Sequence, residues 1–149
     1  MNYLAVISKA GENYSGWLPD FAGAIMATAK TADEVATKLA RGLVSYAEEV
    51  DELPTARAQN LSDEDLAELE DVKLIWVMPA EQNPVSLELA RVLEQSGLYG
   101  AEVARRMGVP RQTVTRMVNP FYWGHNVSSL RRFAEAVGGK LEVKVEIAA

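Results

Sequence analysis

The sequence predicts an α+β protein in two parts: a small β-meander with one long helix up to residue 79, then an all-α domain over residues 86–149 closed by a single strand. Three observations predict it. Short apolar runs broken by turn residues fill the first thirty positions, the pattern of a meander. A capped stretch follows whose apolar residues recur every three or four positions, which is one long amphipathic helix. Beyond residue 85, four shorter helical stretches are each stopped by Gly or Asn-Pro, and the chain ends in strict alternation.

The first run, Tyr3 to Ser8, meets a turn cluster at Lys9–Asn13. Tyr14 to Leu18 resumes a strand and stops at Pro19-Asp20. Ala24 to Ala29 is the third run, after Gly23. Thr31-Ala-Asp-Glu34 fits a capping box, with Thr31 at the N-cap and Glu34 three positions on. Behind it Val35, Leu39, Leu43, Tyr46 and Val50 make one apolar stripe, and Leu53-Pro54 closes the helix. Ser62-Asp-Glu-Asp65 starts a short acidic helix, whose carboxylates suit the positive end of the helix dipole. Val72 to Met78 has the composition of a fourth, buried strand. Residues 80–85 read as a linker.

In the second part, Ser86 caps a helix carrying Leu87, Ala90 and Leu93 that ends near Gly97. Gly100 to Met107 is the next, stopped at Gly108. Pro110 to Val118 is the third, stopped by Asn119-Pro120. Val127 or Ser128 to Val137 is the fourth, stopped by Gly138-Gly139. Leu141, Val143, Val145 and Ile147 then alternate with charged residues, a half-buried strand.

Composition narrows the function. With no cysteine among 149 residues, disulfides and thiolate ligands are excluded. No apolar run approaches the roughly 20 residues of a membrane helix. Met1 to Leu4 has no basic region ahead of an apolar core, so it does not read as a signal peptide. A cytoplasmic protein is expected. The net charge of −6 conceals a segregation. Residues 1–79 hold fourteen acidic groups against six basic ones, a balance of −8, which leaves +2 for the rest. Over 98–132, six arginines face Glu102 alone. An acidic part joined to a locally basic part points to two different partners.

Gly100 to Arg116 carries the clearest chemistry. Two short helices crossing over a tight turn need a small residue at the crossing, supplied by Ala104, and one tolerant of positive φ in the turn, supplied by Gly108. Val103, Met107, Val109, Val114 and Met117 are spaced to point into a shared core. These seven positions resemble the helix-turn-helix of phage-repressor-like regulators, and Val127–Gly139 resembles their final helix. That resemblance implies that the Pro110–Val118 helix enters the major groove of double-stranded DNA. Arg111, Gln112, Thr113, Thr115 and Arg116 are its outward, DNA-binding residues, since Arg suits guanine edges and Gln adenine edges. Pro110 stands where many members carry a capping Ser or Thr. The rival reading is a helical bundle with a solvated arginine face. The terminal strand, through Leu141, Val143, Val145 and Ile147, is expected to pair across a two-fold axis in a homodimer or higher assembly. Packing on the N-terminal sheet is the alternative.

In the first part, Tyr3–Ile7, then Tyr14-Ser-Gly-Trp-Leu-Pro-Asp-Phe-Ala-Gly23, then Thr31-Ala-Asp-Glu-Val35 resembles the HicB-type antitoxin domain. Glu52-Leu-Pro-Thr55 and the apolar run Val72–Met78 extend the likeness. Ala24 departs from it, since many members have Cys there. The resemblance implies a partial RNase H-like fold that binds and blocks a small basic HicA-type ribonuclease toxin while the protein represses its own operon. Trp17, Pro19, Asp20, Phe21 and Gly23 are the expected toxin contacts, although Asp20 also suits a structural Asx-turn and Trp17 a core position.

No catalytic residue, cofactor or metal site is expected. Mg²⁺-dependent nuclease chemistry needs several carboxylates projecting from strands, and the first three predicted strands contain none. His125, the single histidine, has no triad partner evident in the sequence. The expectation is an antitoxin and autorepressor. The alternatives are a stand-alone repressor whose first domain senses a small ligand and, more remotely, a degenerate nuclease subunit.

Overall fold

The computed structural model describes residues 2–57, 61 and 63–148. The chain is α+β and divides into two compact units, Met1–Ala80 and Glu81–Ala149. No described helix is long and apolar enough to cross a membrane.

The first unit contains β1 (Tyr3–Ala10), β2 (Asn13–Trp17), a 3-10 turn (Pro19–Phe21), β3 (Met26–Ala29), α1 (Ala32–Glu49), α2 (Asp63–Ala67) and β4 (Glu70–Val77). The four strands form one sheet in the order β3-β2-β1-β4, with every neighbour antiparallel. The expected Ser62 start of the acidic helix lies outside the described residues.

Helix α1 begins as its capping residues dictate. The Thr31 hydroxyl accepts from the Glu34 amide at 3.2 Å. Val35, Leu39 and Leu43 are buried against Tyr3, Ala5 and Ile7 of β1, with Tyr46 packed at the margin. Gly16 makes this close approach possible. A Cβ there would lie 2.8 Å from Val35 Cγ1 and 2.9 Å from Ile7 Cγ1. The helix ends at Glu49, before the proline that should stop it. Glu48, Glu49, Asp51 and Glu52 crowd that end with no basic residue in the last turn, and negative charge is unfavourable at a helix C-terminus.

β4 departs from the sequence reading. It is an edge strand with one face open, not a buried one: Leu74, Trp76 and Met78 just beyond it are half or more exposed, while Val77 is buried on the α1 side. An apolar run has the same composition whether both its faces are covered or one, so composition could not decide this.

The second unit contains α3 (Pro84–Ser96), α4 (Gly100–Met107), α5 (Arg111–Met117) and α6 (Val127–Ala136). Helix α3 begins inside the stretch read as a linker. Its N-cap is Asn83, whose side chain accepts from the Val85 amide at 3.0 Å, with Pro84 starting the first turn. Ser86 is therefore not the cap but a fully buried residue of the first turn. Leu89, Val92 and Leu93 pack on the core while Leu87 is exposed. The core itself is Val103, Ala104, Met107, Val114, Met117, Phe133 and Ala136, with Val109 partly buried beside it. Residues 139–148 form no strand within the chain, and Val143, Val145 and Ile147 are exposed. Among the described residues, the expected terminal strand thus has no ladder partner.

Candidate functional site

The turn between α4 and α5 is three residues, Gly108, Val109 and Pro110. Gly108 adopts φ 69°, the left-handed conformation expected of it. The Val109 amide reaches back to the Ala104 carbonyl at 3.0 Å, closing α4 on a short Schellman-like turn. Pro110 precedes α5 with extended backbone and offers no side-chain cap. Val114 and Met117 are then buried against Val103, Ala104 and Met107, which leaves the other side of α5 outward.

On that side Arg111, Gln112, Thr115, Arg116 and Asn119 line one open depression. Four of the five expected DNA-binding residues are brought together there. Thr113 is half-buried and stands apart from it. Asn119 was missed because Asn119-Pro120 reads as a helix stop. Its spacing from Gln112 and Arg116, seven and three residues, was the available signal. Its Oδ1 accepts from the Phe121 amide at 2.9 Å, so its amide nitrogen is the outward donor.

The six arginines of this region fall into two classes. Arg105 and Arg106 both bind Glu102, at 2.5 and 3.1 Å. Arg106 also donates to the Ala136 carbonyl at 3.0 Å, and Arg132 to that of Met107. These donors tie α4 to α6 and satisfy carbonyls at helix ends. Hydrogen bonds from Arg105 and then Arg106 hold the Glu102 carboxyl well below its usual range, at about 2. Arg111, Arg116 and Arg131 have no ion-pair partner among the described residues. They are also exposed. Among the described residues, three of the six guanidinium groups are thus held by partners within the unit and three are not.

The loop from Asn119 to Asn126 is fastened to α3. Asn83 Nδ2 donates to the Tyr122 carbonyl at 2.9 Å, and Ser86 Oγ lies 2.7 Å from His125 Nε2. Tyr122 packs edge-on to the imidazole, with ring centroids 4.8 Å apart. Desolvation lowers the His125 pKa. A serine and a histidine are thus adjacent, which the sequence did not reveal. The Ser86 hydroxyl is fully buried and also engages the Tyr122 carbonyl, and His125 Nδ1 has no partner. The pair ties the loop to the first turn of α3.

In the first unit, the five residues expected to meet a toxin differ in burial. Phe21 is buried, edge-on to Tyr3 and Tyr46 at 4.7 and 5.1 Å, and belongs to the core. Asp20 Oδ1 accepts from the Arg57 amide at 3.0 Å, so it tethers a distant segment rather than closing a local Asx-turn. Pro19 starts the 3-10 turn, and Gly23 is exposed with φ 84°. Trp17 alone lies on the open face of the sheet, half-buried, paired with Val6 and Met26. Among the described residues, no three His, Asp or Glu side chains come together in a way that could hold a metal ion. No protein-family model matches the chain, and neither does any curated protein.

Proposed function

We propose that this chain is a DNA-binding antitoxin and autorepressor. In this reading α4, the Gly108–Pro110 turn and α5 are a helix-turn-helix, and α5 enters the major groove. The observation that carries it is the outward surface of α5. Arg111, Gln112, Thr115 and Arg116 stand together, unpaired with any carboxylate among the described residues, on a helix whose other side is fixed in a core. Arg and Gln are the side chains that chelate guanine and adenine edges, and a free guanidinium meets phosphate without first breaking an internal ion pair. Arg131 adds a further exposed cation to the same unit. Two copies would present two such helices to a palindromic operator. The half-buried Leu141 and the exposed Val143, Val145 and Ile147 supply the edge that can pair across the two-fold axis.

The first unit, in the same reading, is a partial RNase H-like domain that binds a small basic ribonuclease toxin. Its sheet order and the single long helix over one face support that architecture, and its balance of −8 suits a cationic partner. The hollows beside Gly42 and Tyr46, and beside Tyr14 and Lys73, are open rather than enclosing. Open hollows fit a protein surface better than a small effector.

Two assays test the proposal. The purified chain should bind the DNA upstream of its own gene in competition with unrelated DNA. Co-expressed with its flanking genes, it should co-purify with a small basic protein that arrests growth when produced alone. Specific DNA binding without such a partner would leave a stand-alone repressor. Failure of both assays would remove the reading altogether.

A further inference from the structure

One face of the sheet of the first unit packs on α1, and the other carries exposed apolar side chains around a buried centre. Tyr3, Ala5 and Ile7 of β1 face α1, so Leu4, Val6 and Ser8 face away. The register extends that second face across all four strands. Met26 pairs with Trp17, Trp17 with Val6, and Val6 with Leu74, while Leu4 pairs with Trp76. Directly paired residues share a face. One apolar row therefore crosses the sheet from edge to edge, and a second begins beside it. Along β4 the alternation Val72, Leu74, Trp76, Met78 keeps this face apolar past the strand's end. Leu4 and Val6 are buried within it, whereas Met26 (69%), Leu74 (50%), Trp76 (61%) and Met78 (60%) stand exposed around them.

Such a surface on an edge strand is a liability unless something covers it. The unit's charge decides between occupants. A second copy would bring one balance of −8 against another, and like fields oppose association. Nucleic acid and anionic lipid are disfavoured for the same reason. A cationic protein meets both features at once. Its apolar patch would cover the tryptophans, and its basic rim would meet the acidic stretch that leads into β4: Asp63, Glu64, Asp65, Glu68, Glu70 and Asp71. Tryptophans that become desolvated at the centre of a contact are the residues most often found to dominate binding.

We propose that the open face of the β3-β2-β1-β4 sheet, centred on Trp17, Leu74 and Trp76, is the docking surface for a basic protein. Resting on the antitoxin reading, that protein is the toxin. Trp17 is then the one expected contact retained, and the 3-10 turn holding Phe21 is scaffold behind it.

The test uses the full chain and the small basic product of a flanking gene, with affinity measured by calorimetry. Trp76→Ser should weaken binding at least about 30-fold, the range of a dominant interface residue, and Leu74→Ser should weaken it in the same direction. Thermal unfolding and DNA binding of both variants should match the parent, because both side chains are exposed. Parent and variants binding the basic protein within about threefold of each other would overturn the docking face and leave the antitoxin reading standing. A parent chain that binds no flanking product would overturn both. Sedimentation of the chain alone supplies the remaining outcome. A higher oligomer that Trp76→Ser reduces to a smaller one would assign the face to a second copy and overturn the proposal.

Discussion

The two units each leave one side of their framework unpaired, and they do so with opposite chemistry. In the first, a helix covers one face of a sheet and the other face shows tryptophan, leucine and methionine inside an acidic unit. In the second, α5 buries Val114 and Met117 and shows arginine, glutamine and threonine. The contrast teaches what a surface is for. An apolar face gains most from a partner that excludes water from it, and the gain depends weakly on salt. A cationic face gains by releasing counterions from a polyanion, and the gain depends steeply on salt.

The largest expected effect exploits that difference. If Arg111, Arg116 and Arg131 of each protomer meet phosphate or bases, a dimer makes about six cationic contacts, and operator affinity should fall on the order of 10³-fold between 50 and 200 mM salt. Binding of a basic protein to the sheet face should lose far less over the same range in its dissociation rate, with the change falling mainly on association. Filter binding and stopped-flow measurements at matched ionic strengths would compare them. Equal salt slopes would erase the distinction between the units.

Next come the arginines themselves. Arg111→Ala or Arg116→Ala should cost roughly 1–3 kcal/mol of specific DNA binding if the residue reads a base, with little change in melting temperature. Arg132→Ala should do the reverse. It strips the Met107 carbonyl of its donor, and losing such a bond costs about 1–3 kcal/mol of stability when the acceptor stays buried. Competition footprinting beside thermal unfolding separates the two classes. If Arg132→Ala lowers DNA affinity at unchanged stability, the division into held and free arginines is wrong.

Which parts of this were legible beforehand follows from the range of the interactions. The Thr31 cap, the Gly108 turn and the α4–α5 core depend on neighbours within a few residues, and the sequence displayed them. The order β-β-β-α-(α)-β was readable from periodicity. Whether β4 lies inside or at an edge was not, because burial is set by what packs on each face. Asn83 displaced Ser86 as the cap since Pro84 can begin a helix, and the face of α3 that packs is the one bearing Ser86, Leu89, Val92 and Leu93, so Leu87 faces out. Phe21 and Trp17 looked alike in sequence, four residues apart. One fills the gap between Tyr3 and Tyr46 and the other lies on the far face of the sheet. The Glu102 pairing was hidden in plain view: charges three and four residues apart on a helix meet, so a count of arginines had to be discounted for it.

A comparable effect in the first unit tests its scaffold rather than its surface. Gly16→Ala places a methyl where Val35, Ile7 and the Val6 carbonyl already stand at 2.8, 2.9 and 3.1 Å. Overpacking of this kind costs about 1–3 kcal/mol. Urea unfolding should show the loss, and the operator affinity of the folded chain should stay at the parent value. A weakened operator complex would mean that the two units do not act separately.

The smallest effect bears most directly on the arginines. Glu102 is held at about 2 in the folded chain by Arg105 and then Arg106, against an ordinary value near 4.5 when unfolded. A depressed carboxylate contributes stability that is fully present above the unfolded value and is lost as pH falls through the folded one. The window therefore lies between pH 4.5 and about 2, and solvent screening keeps the contribution small. Following the Glu102 carboxyl by NMR through that window checks the depressed value directly. Glu102→Gln removes the charge at neutral pH and frees Arg105, which is largely exposed. If Arg105 then reaches the DNA backbone, the slope of log affinity against log salt should steepen by about one per protomer, with a modest gain in affinity at low salt. An unchanged slope would show that Arg105 faces away from DNA, leaving Arg111, Arg116 and Arg131 as the contact set.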